Sequence, residues 1–205
     1  MALNRTYGWY QKVVSGARSL TPDQFARLAD LLGFSRHHRR VACLDAFQSE
    51  PMLPAEPSSP HWKRVLDGQR EMACLLSPAG RLLGSNSAFA ELFPKNRQPA
   101  NLWHWALLDP EARTVLLRWD EQWAPAFMAL LRLARFRYPE NRTVRSLYMD
   151  VHQDRRLQQI QESDRGLGDD ARPLRHPVRG VGTARFMIAE TEGAQVLTVL
   201  FEASA

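Results

Sequence analysis

Cysteine is scarce in this chain: its 205 residues include two, Cys43 and Cys74. Both sit among apolar neighbours without a Cys or His companion at metal-ligand spacing, so each reads as a buried free thiol. His37 and His38 do not alter this, because adjacent residues on a helix point about 100° apart. They read as a solvated basic turn, and no metal site is expected. Long apolar runs are missing too. None approaches the roughly 20 residues that span a bilayer, and Met1-Ala2-Leu3-Asn4-Arg5 lacks the apolar core and small-residue cleavage site of a secretory signal. A cytoplasmic protein with no membrane partner is expected. The sequence holds no glycine-rich phosphate loop, no H-E-x-x-H and no C-x-x-C, and GRLLGSNSAF is not a G-x-S-x-G elbow. Glu140, Asp150, His152 and Asp154 are scattered without a nucleophile, a base and an orienting group in one set. No enzymatic activity and no cofactor are expected. Internal repeats and low-complexity segments are also lacking.

What is present is globular: 44% hydrophobic and 24% charged residues, enough chain for a small domain plus a medium one. The net charge is +5 and the isoelectric point about 9.7, a balance that favours polyanions as partners without proving them. Over residues 1–50, Arg5, Lys12, Arg18, Arg27, Arg36, Arg39 and Arg40 outnumber Asp23, Asp30, Asp45 and Glu50.

Residues 50–60, EPMLPAEPSSP, contain four prolines and two serines, which argues for a linker over 49–60. It separates 1–48 from 61–203. Three helices are expected in the first part. One covers about Arg5–Ser15 and stops at Gly16. The next opens on Thr21, Pro22 and Asp23, carries Phe25, Leu28, Ala29 and Leu32 at helical spacing, and closes at Gly33. The third starts at Ser35 and turns Val41, Leu44 and Phe47 inward.

Beyond the linker, HWKRVLDGQ reads as a short helix, and Met72–Leu76 and Arg81–Gly84 form a hairpin about Ser-Pro-Ala-Gly. Helices follow over Asn86–Phe93, 101–109 and 110–137, the last bearing Val115, Trp119, Trp123, Phe127, Leu130 and Ala134 as an apolar ladder. A further helix covers about 140–162, with a break near His152. RPLRHPV, GTARFMIAET and AQVLTVLFEA read as strands, the last two joined through Glu192 and Gly193. Strands at both ends of a helical middle describe an α+β domain: an antiparallel sheet with helices on one face, the order of a PAS-like fold.

Two stretches resemble known families. WYQKVVSGARSLTPDQFARLADLLGFS resembles the recognition helix and following helices of the XRE, or lambda-repressor-like, helix-turn-helix family. SNSAFAELF, NLWHWALLDPEAR, LLRWDEQWAPAFMALLRLARFRYP, LYMDVHQD and RHPVRGVGTARFMI resemble, in order, the MmyB-like ligand-binding domain, which is PAS-like. Together they imply a bacterial transcription regulator that senses a small apolar molecule, of fatty-acid type in at least one relative, and that carries no catalytic residues. The motif positions fall on Asn86, Asn101, Trp105, Asp109, Pro110, Arg113, Trp119, Asp120, His176 and Pro177. DNA and, at the level of the family, a second copy of the chain are the implied macromolecular partners.

For DNA, cations supply affinity and edge-reading side chains supply sequence preference. The N-terminal residues of a recognition helix meet the bases, which points to Asn4, Arg5, Thr6, Tyr7 and Tyr10, with Lys12 and Arg18 near phosphates. Without the resemblance the same helix reads as an ordinary solvated one. A complete domain of this class needs two helices before the recognition helix, and three residues precede Asn4. A partial helix-turn-helix over 1–48 is therefore expected, with Trp9 and Val13 as exposed apolar surface. For the ligand, Asn86, Trp105, Trp119, Trp123, Phe127 and His176 are the candidates, since apolar pockets are lined by aromatics and oriented by a few polar groups. An apolar ladder at helical spacing reads equally as plain core.

Overall fold

The computed structural model describes residues 7–17, 19–48, 60–161, 167–168, 170–191 and 193–204. The chain forms two compact units, Met1–Leu53 and Pro54–Ala205.

In the first unit, helices α1 (Tyr7–Val14), α2 (Pro22–Leu31) and α3 (Arg36–Phe47) follow one another. Thr21 begins α2 by a reciprocal cap: its hydroxyl accepts from the Gln24 N–H while the Gln24 side chain accepts from the Thr21 N–H. Ser35 caps α3 by accepting from the His38 N–H. The inward face of α3 differs from the one expected. Val41 and Leu44 are exposed, whereas Cys43 is buried and Phe47 packs edge-on against Phe25 at 5.7 Å. The reason is the four-residue register Arg39, Cys43, Phe47, anchored where Arg39 donates to the Phe34 carbonyl and to Asp30. Leu32 at the end of α2 is exposed as well. Trp9 and Val13 correct the expectation of exposed apolar surface: Trp9 is 6% exposed and Val13 half-buried, consistent with the large gain on removing an indole from water.

In the second unit, α4 (Pro60–Asp67) leads into β1 (Met72–Leu76) and β2 (Leu82–Ser85). Next come α5 (Ser87–Ala90), α6 (Leu102–Leu108), α7 (Ala112–Val115), α8 (Ala124–Arg137) and α9 (Arg142–Gln153). The chain closes with β3 (Arg172–His176), β4 (Gly180–Thr191) and β5 (Ala194–Ala203). The linker expected at 49–60 lies outside the described residues except for Pro60, which opens α4, and so does Glu192 of the β4–β5 turn. The five strands form one antiparallel sheet in the order β2-β1-β5-β4-β3. Strands from both ends of the domain thus meet in its middle, and the α+β class read from the sequence is the one observed.

Alternation along the strands creates two cores. Met72, Cys74, Leu76, Leu174, Ala184, Phe186, Leu197 and Val199 face α5 to α9. Ala73, Leu75 and Ala194 face the other way, where Leu66 and Trp62 of α4 pack on them. Helices therefore cover most of one face and the β1–β2 half of the other.

The helix expected over 110–137 is broken. After α7, Leu116 forms a bridge to Leu174 of β3, Arg118 takes a left-handed conformation at φ 53°, and Trp119–Trp123 makes a wide π turn closed by the Ala124 N–H on the Trp119 carbonyl. Pro125 then opens α8, as a residue without an N–H can do only in a first turn. Val115, Trp119, Trp123 and Phe127 are all buried nonetheless. The apolar ladder satisfied the core, and the backbone found another way to present it. The helix expected over 140–162 ends at Gln153, close to the break placed near His152.

Candidate functional site

Asn86 stands where β2 becomes α5. Its Oδ1 accepts from the Ala73 N–H at 3.0 Å and the Phe89 N–H at 2.9 Å, and its Nδ2 donates to the carbonyls of Leu66, Gln69 and Glu71. The side chain is 3% exposed and its hydrogen-bonding capacity is filled by backbone. It ties α4, β1 and α5 together.

Asn101 does similar work at the start of α6. Its Oδ1 accepts from the N–H groups of Trp103 and His104, and its Nδ2 donates to the Ala79 carbonyl in the β1–β2 turn. This aims α6 along a cleft of about 700 Å3, whose other wall is α9. Such a volume lies within the range of about 300–1,000 Å3 seen for small-molecule sites. Trp105 and Leu147, both buried, make an apolar floor. His104 and Asp109 line it from α6, and Arg142, Thr143, Ser146 and Asp150 from α9. Apolar below and charged with both signs at the rim, the cleft suits an amphiphilic molecule. The Trp105 indole N–H is buried without a hydrogen-bond partner among the described residues, an arrangement that native proteins seldom leave unexplained.

The other aromatic candidates lie elsewhere. Trp119 donates from Nε1 to the Ala106 carbonyl at 2.6 Å, and the Arg113 guanidinium carbon lies 4.5 Å from the centre of its ring. Trp123 donates to the Pro173 carbonyl at 3.0 Å and meets Phe186 edge-on at 5.3 Å. Phe127 borders an interior gap with Leu76, Leu102, Trp103 and Leu197; at about 10 Å3 it has room for roughly one water. His176 is 1% exposed, and its Nδ1 accepts from the N–H groups of Val178 and Arg179 at 3.2 Å each. That nitrogen is therefore unprotonated and Nε2 carries the hydrogen. Nε2 is buried with no hydrogen-bond partner among the described residues. Burial, followed by the charge of Arg179, pulls the His176 pKa below its ordinary value, and Glu91 opposes this in part.

Of the six ligand candidates, the cleft gathers Trp105; the remaining five belong to the core or to its polar ties. The α9 wall escaped the sequence reading, although Thr143, Ser146 and Asp150 recur at three- and four-residue steps on a helix capped by Asn141. Among the DNA candidates, Tyr7 is 78% exposed and Lys12 is exposed. Tyr10 lies in α1, and Asn4, Arg5, Thr6 and Arg18 lie outside the described residues. Among the described residues no group of three or more His, Cys, Asp and Glu side chains could hold a metal ion, and no helix is long and apolar enough to cross a membrane.

The second unit is thus an antiparallel sheet backed by helices, with a solvent-open cleft between two of them. Residues 58–205 match the family model of the MmyB-like transcription regulator ligand binding domain, and the chain belongs to that family. No curated protein matches it.

Proposed function

We propose that this chain is a cytoplasmic bacterial transcription regulator without enzymatic activity. In this reading residues 61–203 sense a small, predominantly apolar molecule, of which a fatty acid is the model. Residues 49–60 are a linker, and residues 1–48 are a helix-turn-helix element of XRE type that contacts DNA. The observation that carries the ligand half is the cleft between α6 and α9, built into a domain whose family binds ligands. Trp105 and Leu147 would hold an acyl chain while Arg142 or His104 pairs with its carboxylate. Asn86, Trp119, Trp123, Phe127 and His176 then act on the ligand through the frame of the domain. Support for the DNA half is the basic first unit, with Tyr7 and Lys12 exposed on α1, together with Asn4, Arg5, Thr6, Tyr10 and Arg18 in its sequence. A homodimer would match the two-fold operators usual for this class.

Native mass spectrometry of the purified chain tests the first half: a co-purified or added fatty acid should be retained, and Ser146→Trp, at an exposed position of the α9 wall, should abolish its retention. Titration of a DNA pool at two salt concentrations tests the second. Binding that weakens with salt, with a slope reduced by about 1 in Lys12→Ala, is the expected result. Absence of binding at low salt would leave a ligand-binding module with no DNA grip of its own.

A further inference from the structure

Part of the sheet lies open. Along β4, Gly182, Ala184 and Phe186 are buried on the helix side, while Val181, Thr183, Arg185, Met187 and Ala189 on the opposite side are exposed. Arg175 of β3 and Leu200 and Glu202 of β5 share that open side, through the registers Arg175↔Val181, Arg185↔Leu200 and Thr183↔Glu202. Helix α4 packs on the other half of this face, over Ala73, Leu75 and Ala194. Both edges of the sheet are occupied. Beside β3, Leu116 bridges Leu174 and the Trp123 indole donates to the Pro173 carbonyl; beside β2, Asn101 bridges Arg81 and the Ala100 carbonyl accepts from the Leu82 N–H. The sheet is therefore closed to a further strand, and a macromolecule that meets it must lie flat on the open side.

Its chemistry matches a second copy of itself. Met187 is 57% and Val181 45% exposed, and methionine and arginine are residue types that interfaces favour. Arg175, Arg185 and Glu202 are exposed and form no ion pair among the described residues. In a two-fold contact each pairing occurs twice, i on j and j on i, so one Arg and one Glu on the same face can satisfy each other between copies. We infer that two copies of this chain meet through this face, Arg185 of each pairing with Glu202 of the partner subunit. The axis that does this runs midway between the two charges. It therefore passes close to Leu200 and Thr183, the other corners of the same cross-strand quartet, and sets Leu200 against its own copy. Strand rise and spacing make the open side roughly 15 Å by 30 Å, at the small end of specific interfaces, so monomer and dimer should exchange in the micromolar range. The inference rests on the homodimer of the proposed function, to which it gives a surface; neither ligand nor DNA enters it.

Sedimentation equilibrium of the full chain, from low to high micromolar concentration, tests this. The unsubstituted chain should dimerise. Arg185→Glu and Glu202→Arg each set like charges against each other twice and should raise the dimer Kd roughly tenfold or more. The double variant Arg185→Glu/Glu202→Arg restores opposite signs and should recover the dimer. Thr183→Arg places two cations beside the axis and should give a monomer independently of the other pair. All three positions are exposed, so urea midpoints measured on dilute, monomeric protein should stay the same. A dimer that Arg185→Glu, Glu202→Arg and Thr183→Arg all leave intact lies on another surface; that overturns the inference and leaves the homodimer reading standing. A double variant that stays monomeric overturns the charge pairing, and with it the second copy as occupant. An unsubstituted chain that is monomeric throughout overturns both the inference and the homodimer.

Discussion

Asn86 and His176 both entered as ligand candidates, and each has a backbone role that can be measured. Asn86→Ala orphans two buried N–H groups and removes the donor to three carbonyls, of which Leu66 keeps the Gln69 N–H, which should cost about 3 kcal/mol in urea unfolding. Asn86→Asp keeps the acceptor for both N–H groups but sets a carboxylate against the three carbonyls, so it should restore little of that loss. His176 gives a pH dependence whose sign follows from its lowered pKa. The unfolded chain binds a proton near pH 6.5, at the ordinary value for imidazole, and the folded chain only at lower pH. Its contribution is therefore complete above about pH 6.5 and is lost as the pH falls toward the folded value. Urea midpoints at pH 7.5 and 5 should differ more for the native chain than for His176→Asn, which offers an acceptor to the Val178 and Arg179 N–H groups and does not titrate. That these residues matter was legible from the family resemblance, whose motif positions fall on Asn86 and His176. The saturation of Asn86 by backbone was not, since Asn86 bonds across as many as twenty positions of sequence.

Turns and helix ends show the same division between elements. Gly16 and Gly80 both have positive φ, 72° and 76°. A Cβ at Gly16 would meet nothing within 4 Å, whereas at Gly80 it would lie 2.4 Å from Cγ of Trp103. Gly16→Ala should cost about 1 kcal/mol, the cost of the left-handed backbone alone. Gly80→Ala adds a clash with a buried ring and should cost roughly 3 kcal/mol in thermal unfolding. Arg118 poses the reverse case. Arg118→Gly relieves a left-handed residue at the cost of an exposed pair with Glu121, and such pairs contribute little. A gain of about 0.5 kcal/mol is expected, measured by urea unfolding. The hairpin of β1 and β2 was readable from Ser-Pro-Ala-Gly, and α2 and α3 from their caps. The break in 110–137 was readable only in part. Pro125 announces a new helix, but nothing local announces that Leu116 leaves the helix to bridge Leu174 of β3.

At the scale of the whole molecule, a ligand held by the folded state alone stabilises it by mass action. Dodecanoate at a hundred times its Kd should add about 2.7 kcal/mol to unfolding of the chain, and Ser146→Trp should remove the gain in a thermal-shift assay. The order of strands and helices and the α+β class were determined by the sequence itself, because alternation, helical spacing and capping are properties of near neighbours along the chain. Which aromatics would be core and which would floor a cleft was decided by tertiary structure. Trp105, Trp119 and Trp123 are alike in sequence terms. They part only when α9, some forty residues beyond Trp105, closes against α6 and when β3, fifty residues beyond Trp123, comes to accept its indole hydrogen. Burial depends on what packs from outside the element, and an element's own periodicity carries no record of that.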